Sequence, residues 1–204
     1  MKFALTTAIL LFGSQLAVAE DSAALSKAVT AYESHDYAAA ETALQKVIAS
    51  EPDNAAAHAY LSLVQVERDK TGPASEQAAK AVELSADCKE AKVANARLAS
   101  EQGDNDRAMA ILSEAAEANA GDPLVLYHRG LVYLRADQFE AAAADLEKVI
   151  EAKPDHAYAY YYAGLAYSKL DKPDKMVDRY QQFLKRKPDA PESKKIRALL
   201  RGVR

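Results

Sequence analysis

The chain has 204 residues, half of them hydrophobic, and a formal net charge of −4. That acidic balance argues against a nucleic-acid binder acting through bulk electrostatics, and a single cysteine, Cys88, excludes an internal disulfide. Alanine is abundant, glycine scarce and tryptophan absent, a composition that favours helices held together by packing alone.

The first residues stand apart from the rest. The chain starts Met1-Lys2, runs apolar from Phe3 to Phe12 and reaches Ala17-Val18-Ala19. A basic start, a short apolar run and a small-x-small site form the pattern of a secretory signal peptide. The run is about ten residues long, short of the ~20 that a spanning helix needs. Residues 1–19 are therefore expected to be cleaved after Ala19, leaving a soluble, exported chain, periplasmic in a bacterium. No cysteine lies near that site, which speaks against a lipid-modified N-terminus. Retention of residues 1–19 as an anchor is the alternative.

From Asp21 the chain repeats itself without insertion, in blocks 21–54, 55–88, 89–122, 123–156 and 157–190. In the first block Tyr37, Ala40, Leu44 and Val47 form an inward stripe on the second helix, and Pro52-Asp53-Asn54 closes it. In the second, Leu61, Ser62, Ala74, Ala78 and Ala81 keep the pattern, and Pro73 predicts a second helix that begins late, near Pro73. In the third, Ala96, Gly103, Ala108, Leu112 and Ala115 keep it, with a turn and helix cap at Gly103-Asp104-Asn105-Asp106. The fourth is the fullest copy, with Gly130, Tyr133, Phe139, Ala142, Leu146, Val149 and Pro154. Gly130 and Ala142 are small where a facing helix comes close; Tyr133, Leu146 and Val149 fill the remaining gap. The fifth carries Tyr160, Gly164, Tyr167, Tyr180, Phe183 and Pro188. Ile196, Leu199, Leu200 and Val203 then fall on one face of a short amphipathic helix.

These residues at this spacing resemble the tetratricopeptide (TPR) repeat, whose period is about 34 residues. The resemblance covers residues 21–204. It implies an all-α fold, a right-handed superhelical solenoid of five helix–turn–helix repeats with a capping helix over 191–204. Residues 20–204 would form a single array. It also implies a scaffold that binds a protein or peptide partner and carries no chemistry of its own.

The residues themselves show no catalytic constellation. His35, His58, His128 and His156 lie in separate blocks, with no pair at helical metal-site spacing. No phosphate loop, GxGxxG or GxSxG is present. Acidic pairs such as Asp104/Asp106 and Asp171/Asp174 precede helices and serve as caps. No enzyme activity, metal site or cofactor is expected. By the TPR resemblance, the groove-facing positions of the first helices are Val93, Arg97, Tyr127, Leu131, Arg135, Tyr158, Tyr161 and Leu165. That groove is apolar and tyrosine-rich toward its C-terminal half, which suits a helix or extended segment with hydrophobic side chains. It lacks the basic set by which some TPR domains clamp a C-terminal carboxylate. From Pro173 to Arg204 the chain carries +6, leaving −10 for the remainder. This basic end is a solvated cap or a dock for an acidic partner or, peripherally, an anionic membrane. Self-association through the groove is the alternative to capture of a partner. Envelope assembly is the setting that exported TPR relatives suggest.

Overall fold

The computed structural model describes residues 23–202; the expected signal peptide 1–19 and Val203 lie outside the described residues. Among these, every regular element is a helix and eleven occur. The first, α1, covers residues 23–33. It is followed by α2 (Tyr37–Ser50), α3 (Ala55–Glu67), α4 (Thr71–Leu84), α5 (Lys89–Glu101) and α6 (Asn105–Ala118). Then come α7 (Pro123–Arg135), α8 (Phe139–Ala152), α9 (Ala157–Lys169), α10 (Pro173–Arg186) and α11 (Ser193–Gly202). The chain divides into two compact units between Ala86 and Asp87, so α1–α4 belong to the first and α5–α11 to the second. No described helix is long and apolar enough to cross a membrane.

Corresponding helices start at intervals of 34 residues: α2, α4, α6, α8 and α10 at Tyr37, Thr71, Asn105, Phe139 and Pro173. This corrects one expectation. Helix α4 begins at Thr71, in step with its counterparts, and not near Pro73. Pro73 sits in the first turn, where backbone N–H groups have no partner within the helix, so its missing donor delays nothing.

Each turn between the two helices of a pair is closed in the same way. His35, Asp69, Gly103, Asp137 and Asp171 all have positive φ, between 53° and 85°. At Gly103 the N–H donates to the Ser100 carbonyl at 3.1 Å, and the Asp104 N–H donates to the Ala99 carbonyl at 2.9 Å. The same two bonds recur at the other four turns. This is the Schellman ending, in which a left-handed residue reverses the chain and satisfies the last carbonyls of the helix. Aspartate tolerates that conformation better than most residues with a Cβ, and four of the five positions are filled by Asp or Gly.

The reversal brings the second helix back against the first, and a small residue sets how close it comes. Ser62, Ala96, Gly130 and Gly164 occupy the same position on α3, α5, α7 and α9, and all are buried. A Cβ built on Gly130 would stand 3.0 Å from Cγ of Leu146; one on Gly164 would stand 2.7 Å from the Tyr180 ring. At Ser62 the close approach becomes a hydrogen bond, its hydroxyl donating to the Ala74 carbonyl at 2.7 Å. Around these contacts the first unit buries Leu44, Val47, Leu61 and Val64, and the second buries Leu112, Val132, Leu146, Val149 and Phe183.

Charges that enter the core do so paired. In the first unit, Glu41 is buried and accepts from Lys70 at 2.9 Å and Arg68 at 2.8 Å. In the second, Asp145 is buried and takes both ends of the Arg129 guanidinium, at 2.6 and 2.9 Å, which ties α7 to α8. Bidentate geometry leaves neither carboxylate oxygen without a donor, which is what makes such burial tolerable.

Two substitutions test this account. Gly164→Ala pushes a methyl group into the Tyr180 ring and is expected to cost about 1–3 kcal/mol. Gly103→Ala forces a Cβ into the left-handed region and is expected to cost about 1–2 kcal/mol. Urea denaturation followed by circular dichroism reads both. An unchanged midpoint for Gly164→Ala would contradict the close approach of α9 and α10.

Candidate functional site

The residue that follows the small packing position on each first helix turns about 100° away from it. The three such residues of the second unit are Arg97, Leu131 and Leu165, so they stand in a row on α5, α7 and α9. Two adjoining cavities run along that row and share Leu165. The smaller, about 280 Å³, is lined by Arg97 and Ser100 of α5, Leu131, Val132, Leu134 and Arg135 of α7, and Tyr162 and Leu165 of α9. The larger, about 740 Å³, lies between Tyr161, Leu165 and Ser168 of α9, Tyr180 of α10, and the stretch from Pro191 to Leu199.

Of the eight groove positions taken from the sequence, five line these cavities: Arg97, Leu131, Arg135, Tyr161 and Leu165. The other three do not, and the expectation for them is corrected. Val93, Tyr127 and Tyr158 are buried and act as the support behind the wall. Tyr127 is covered by the next turn, with its ring 4.6 Å from that of His156 and 6.0 Å from that of Tyr162. Tyr158 packs edge-on against Phe183 at 5.4 Å, and its hydroxyl donates to Glu192 at 3.4 Å. Val93, Tyr127 and Tyr161 share one repeat position. Tyr161 alone is half-buried, because α11, which follows the last pair, leaves the larger cavity beside it.

The far wall of that cavity is the part that sequence reasoning missed. The apolar face of α11 predicts burial of Ile196, Leu199 and Leu200 against the last repeat. Only Ile196 is buried; Leu200 is partly so, and Leu199 remains 43% exposed at the cavity lip. The amphipathic pattern of α11 signals an apolar face but not how fully the last repeat covers it. Tyr180, Glu192 and Lys195 also join the site, and none of them sits on a first helix, where the TPR resemblance points.

The electrostatics differ at the two ends. At the α5–α7 end, Glu101 is held between Arg97 and Arg135, with Arg135 donating to it at 2.6 Å. Arg135 also donates to the Ser100 carbonyl at 2.9 Å. Burial alone would raise the Glu101 pKa, but the two guanidiniums outweigh it and hold the carboxyl below its usual range. At the α11 end tyrosines dominate. Burial, aided by the Glu192 charge, pushes Tyr158 up to about 12; burial also pushes Tyr180 up to about 12. Both therefore stay neutral hydroxyls at any physiological pH.

Among the described residues no three His, Cys, Asp or Glu converge to hold a metal. Cys88 lies outside the groove, half-buried ahead of α5. Burial and a hydrogen bond to Glu90 at 2.9 Å raise its pKa, which disfavours the reactive thiolate.

The tetratricopeptide repeat pattern matches residues 25–83 and 127–191, more than half of the chain. No curated protein matches the sequence. Among solved structures, TTC0263, a thermophilic TPR protein of Thermus thermophilus, is similar with a TM-score of 0.66 and 18% identity, over 90% of this chain and 98% of that one. YrrB, a TPR protein with an unusual peptide-binding site, is similar at 0.55 and 18% identity, over 86% of this chain and 90% of that one. MamA is similar at 0.52 and 23% identity, over 85% of this chain and 94% of that one. Likeness at such identity shows the fold alone, an all-α TPR solenoid.

The Arg97–Glu101–Arg135 group predicts a pH signature. Because the folded pKa of Glu101 is depressed, its contribution is full above the ordinary value near 4.5 and is lost as the pH falls through the folded value. Glu101→Gln is expected to lower stability by about 0.5–1 kcal/mol at pH 7, the range for a partly exposed pair. The difference from wild type should vanish in acid. A difference that persists unchanged at acid pH would show that the carboxylate charge is not what holds the two arginines.

Proposed function

The chain belongs to the tetratricopeptide repeat family, and from that premise we propose that it is a non-enzymatic scaffold whose second unit holds a segment of a partner protein in the groove along α5, α7, α9 and α11. The observation that carries this reading is the pair of adjoining cavities that meet at Leu165. Their floor is apolar and aromatic, from Leu131, Leu134, Leu165, Tyr161 and Tyr162. Tyrosine offers a large ring that loses little entropy on binding and a hydroxyl that still seeks a partner, which is why it is enriched in protein interfaces. A helix or extended segment with hydrophobic side chains meets both needs. YrrB, of the same fold, is described as having a peptide-binding site, which supports this use of a TPR surface.

The setting we propose is the bacterial envelope, with the scaffold assisting an assembly outside the cytoplasm. Met1-Lys2, the apolar run Phe3 to Phe12 and Ala17-Val18-Ala19 support export. The unit would work there as a soluble chain after removal of residues 1–19.

Both parts are open to test. A photo-crosslinking residue at Leu165, where the cavities meet, should capture one dominant partner in the producing cell. The same residue at Lys148, exposed on α8, should not. Combining Leu131→Ala with Tyr161→Ala should lower recovery about tenfold or more, as loss of interface anchors does, with helicity retained. Equal capture from Lys148, or wild-type recovery by the double variant, would move the site elsewhere. A crosslinked species that is a second copy of this chain would assign the groove to self-association. Mass spectrometry of the exported chain should find Glu20 at its start; a chain that keeps Met1 and stays in the cytoplasm would overturn the export proposal.

A further inference from the structure

The charge on the far wall of the groove says more about the occupant. The sequence of α11, SKKIRALLRG, contains no acid and four cations, Lys194, Lys195, Arg197 and Arg201, all exposed. They belong to the stretch from Pro173 to Arg204, which carries +6 in a chain whose remainder carries −10. On α11 Ile196 is buried, and Ala198 and Leu199, both exposed, line the larger cavity beside Lys195. Leu199, 43% exposed at the cavity lip, is placed to meet a peptide side chain that enters the cavity. The residues lining this cavity include one acid, Glu192, which accepts from the Tyr158 hydroxyl, and one cation, Lys195. At the opposite end Arg135 is 44% exposed and donates to Glu101. A cation therefore stands at each end of an apolar floor, Lys195 within the basic stretch and Arg135 outside it.

We propose that the occupant is an acidic polypeptide segment, with a large apolar side chain seated in the cavity beside Leu199 and carboxylates directed to Lys195 and Arg135. This rests on the scaffold reading above and names the chemical class of its partner. Charge complementarity of this kind steers encounter and rejects basic competitors. Lys194, Arg197 and Arg201 on the outer side of α11 add to the field without touching the ligand, within the roughly 8 Å over which charges act at physiological salt.

Selection from a random peptide library on the mature chain tests the proposal. The enriched sequences should be net acidic and carry a large aliphatic or aromatic residue. Their affinity should fall about tenfold or more on Lys195→Glu, as for a charge pair turned into like charges. It should fall by less on Lys195→Gln, with circular dichroism confirming that both variants fold. Raising sodium chloride from about 0.1 M to about 1 M should weaken capture, since the screening length drops from about 10 Å to about 3 Å. Neutral or basic winners, indifference to Lys195→Glu, or no enrichment at all would overturn it. So would flotation with phosphatidylglycerol vesicles in the absence of acidic peptide capture, which would assign the cations to a membrane. Neutral winners that still depend on Leu131 would remove the acidic class and leave the scaffold reading standing. Winners indifferent to both Leu131 and Lys195 would remove both.

Discussion

The close approach of paired helices at one small residue is the contact from which the rest follows. Gly130 leaves space for Leu146, and Gly164 for the ring of Tyr180. Ser62 uses the same closeness to donate a hydrogen bond across it. With one side of the first helix spent on that contact, its neighbouring side points elsewhere. On a helix the next residue is rotated by about 100°, so Arg97, Leu131 and Leu165 line up on the groove because Ala96, Gly130 and Gly164 face the core. The site is a by-product of how the hairpin packs, repeated at a fixed interval.

The same periodicity explains why the groove opens at its end. Val93 and Tyr127 have the repeat position of Tyr161 but are buried. Tyr161 has only α11 across from it, and α11 stands off far enough to leave about 740 Å³. The interior repeats bury this position, whereas Tyr161 is half-buried against Tyr180 and Phe183 at the edge of the cavity. A cap that covered its neighbour fully would have closed the site.

Much of this is legible in the sequence, for physical reasons that also set the limit. Glycine where two helices touch, alanine across from it and proline after the second helix are constraints that few other residues satisfy, so the pairing and its period show in residues 123–156 and propagate outward. Five of the eight groove positions that the TPR resemblance implies line the cavities. Val93, Tyr127 and Tyr158 do not, because burial depends on what the following helix and loop cover, which no single repeat encodes. A late start for α4 follows only when Pro73 is weighed alone, apart from the turn that fixes the start of every second helix. The role of α11 stays hidden because an amphipathic pattern reports that a face is apolar and not whether it is fully covered.

The central claim is that the groove of the second unit, and not the outer helices, is where a partner lies. Methyl-resolved NMR of the leucines reads it directly, since Leu131, Leu134, Leu165 and Leu199 line the cavities while Leu44, Leu112 and Leu146 are buried. On addition of a captured partner segment, the account predicts that the first four shift and the buried three stay in place. Unmoved groove leucines, with shifts confined to methyl groups exposed on α6, α8 and α10, would contradict it.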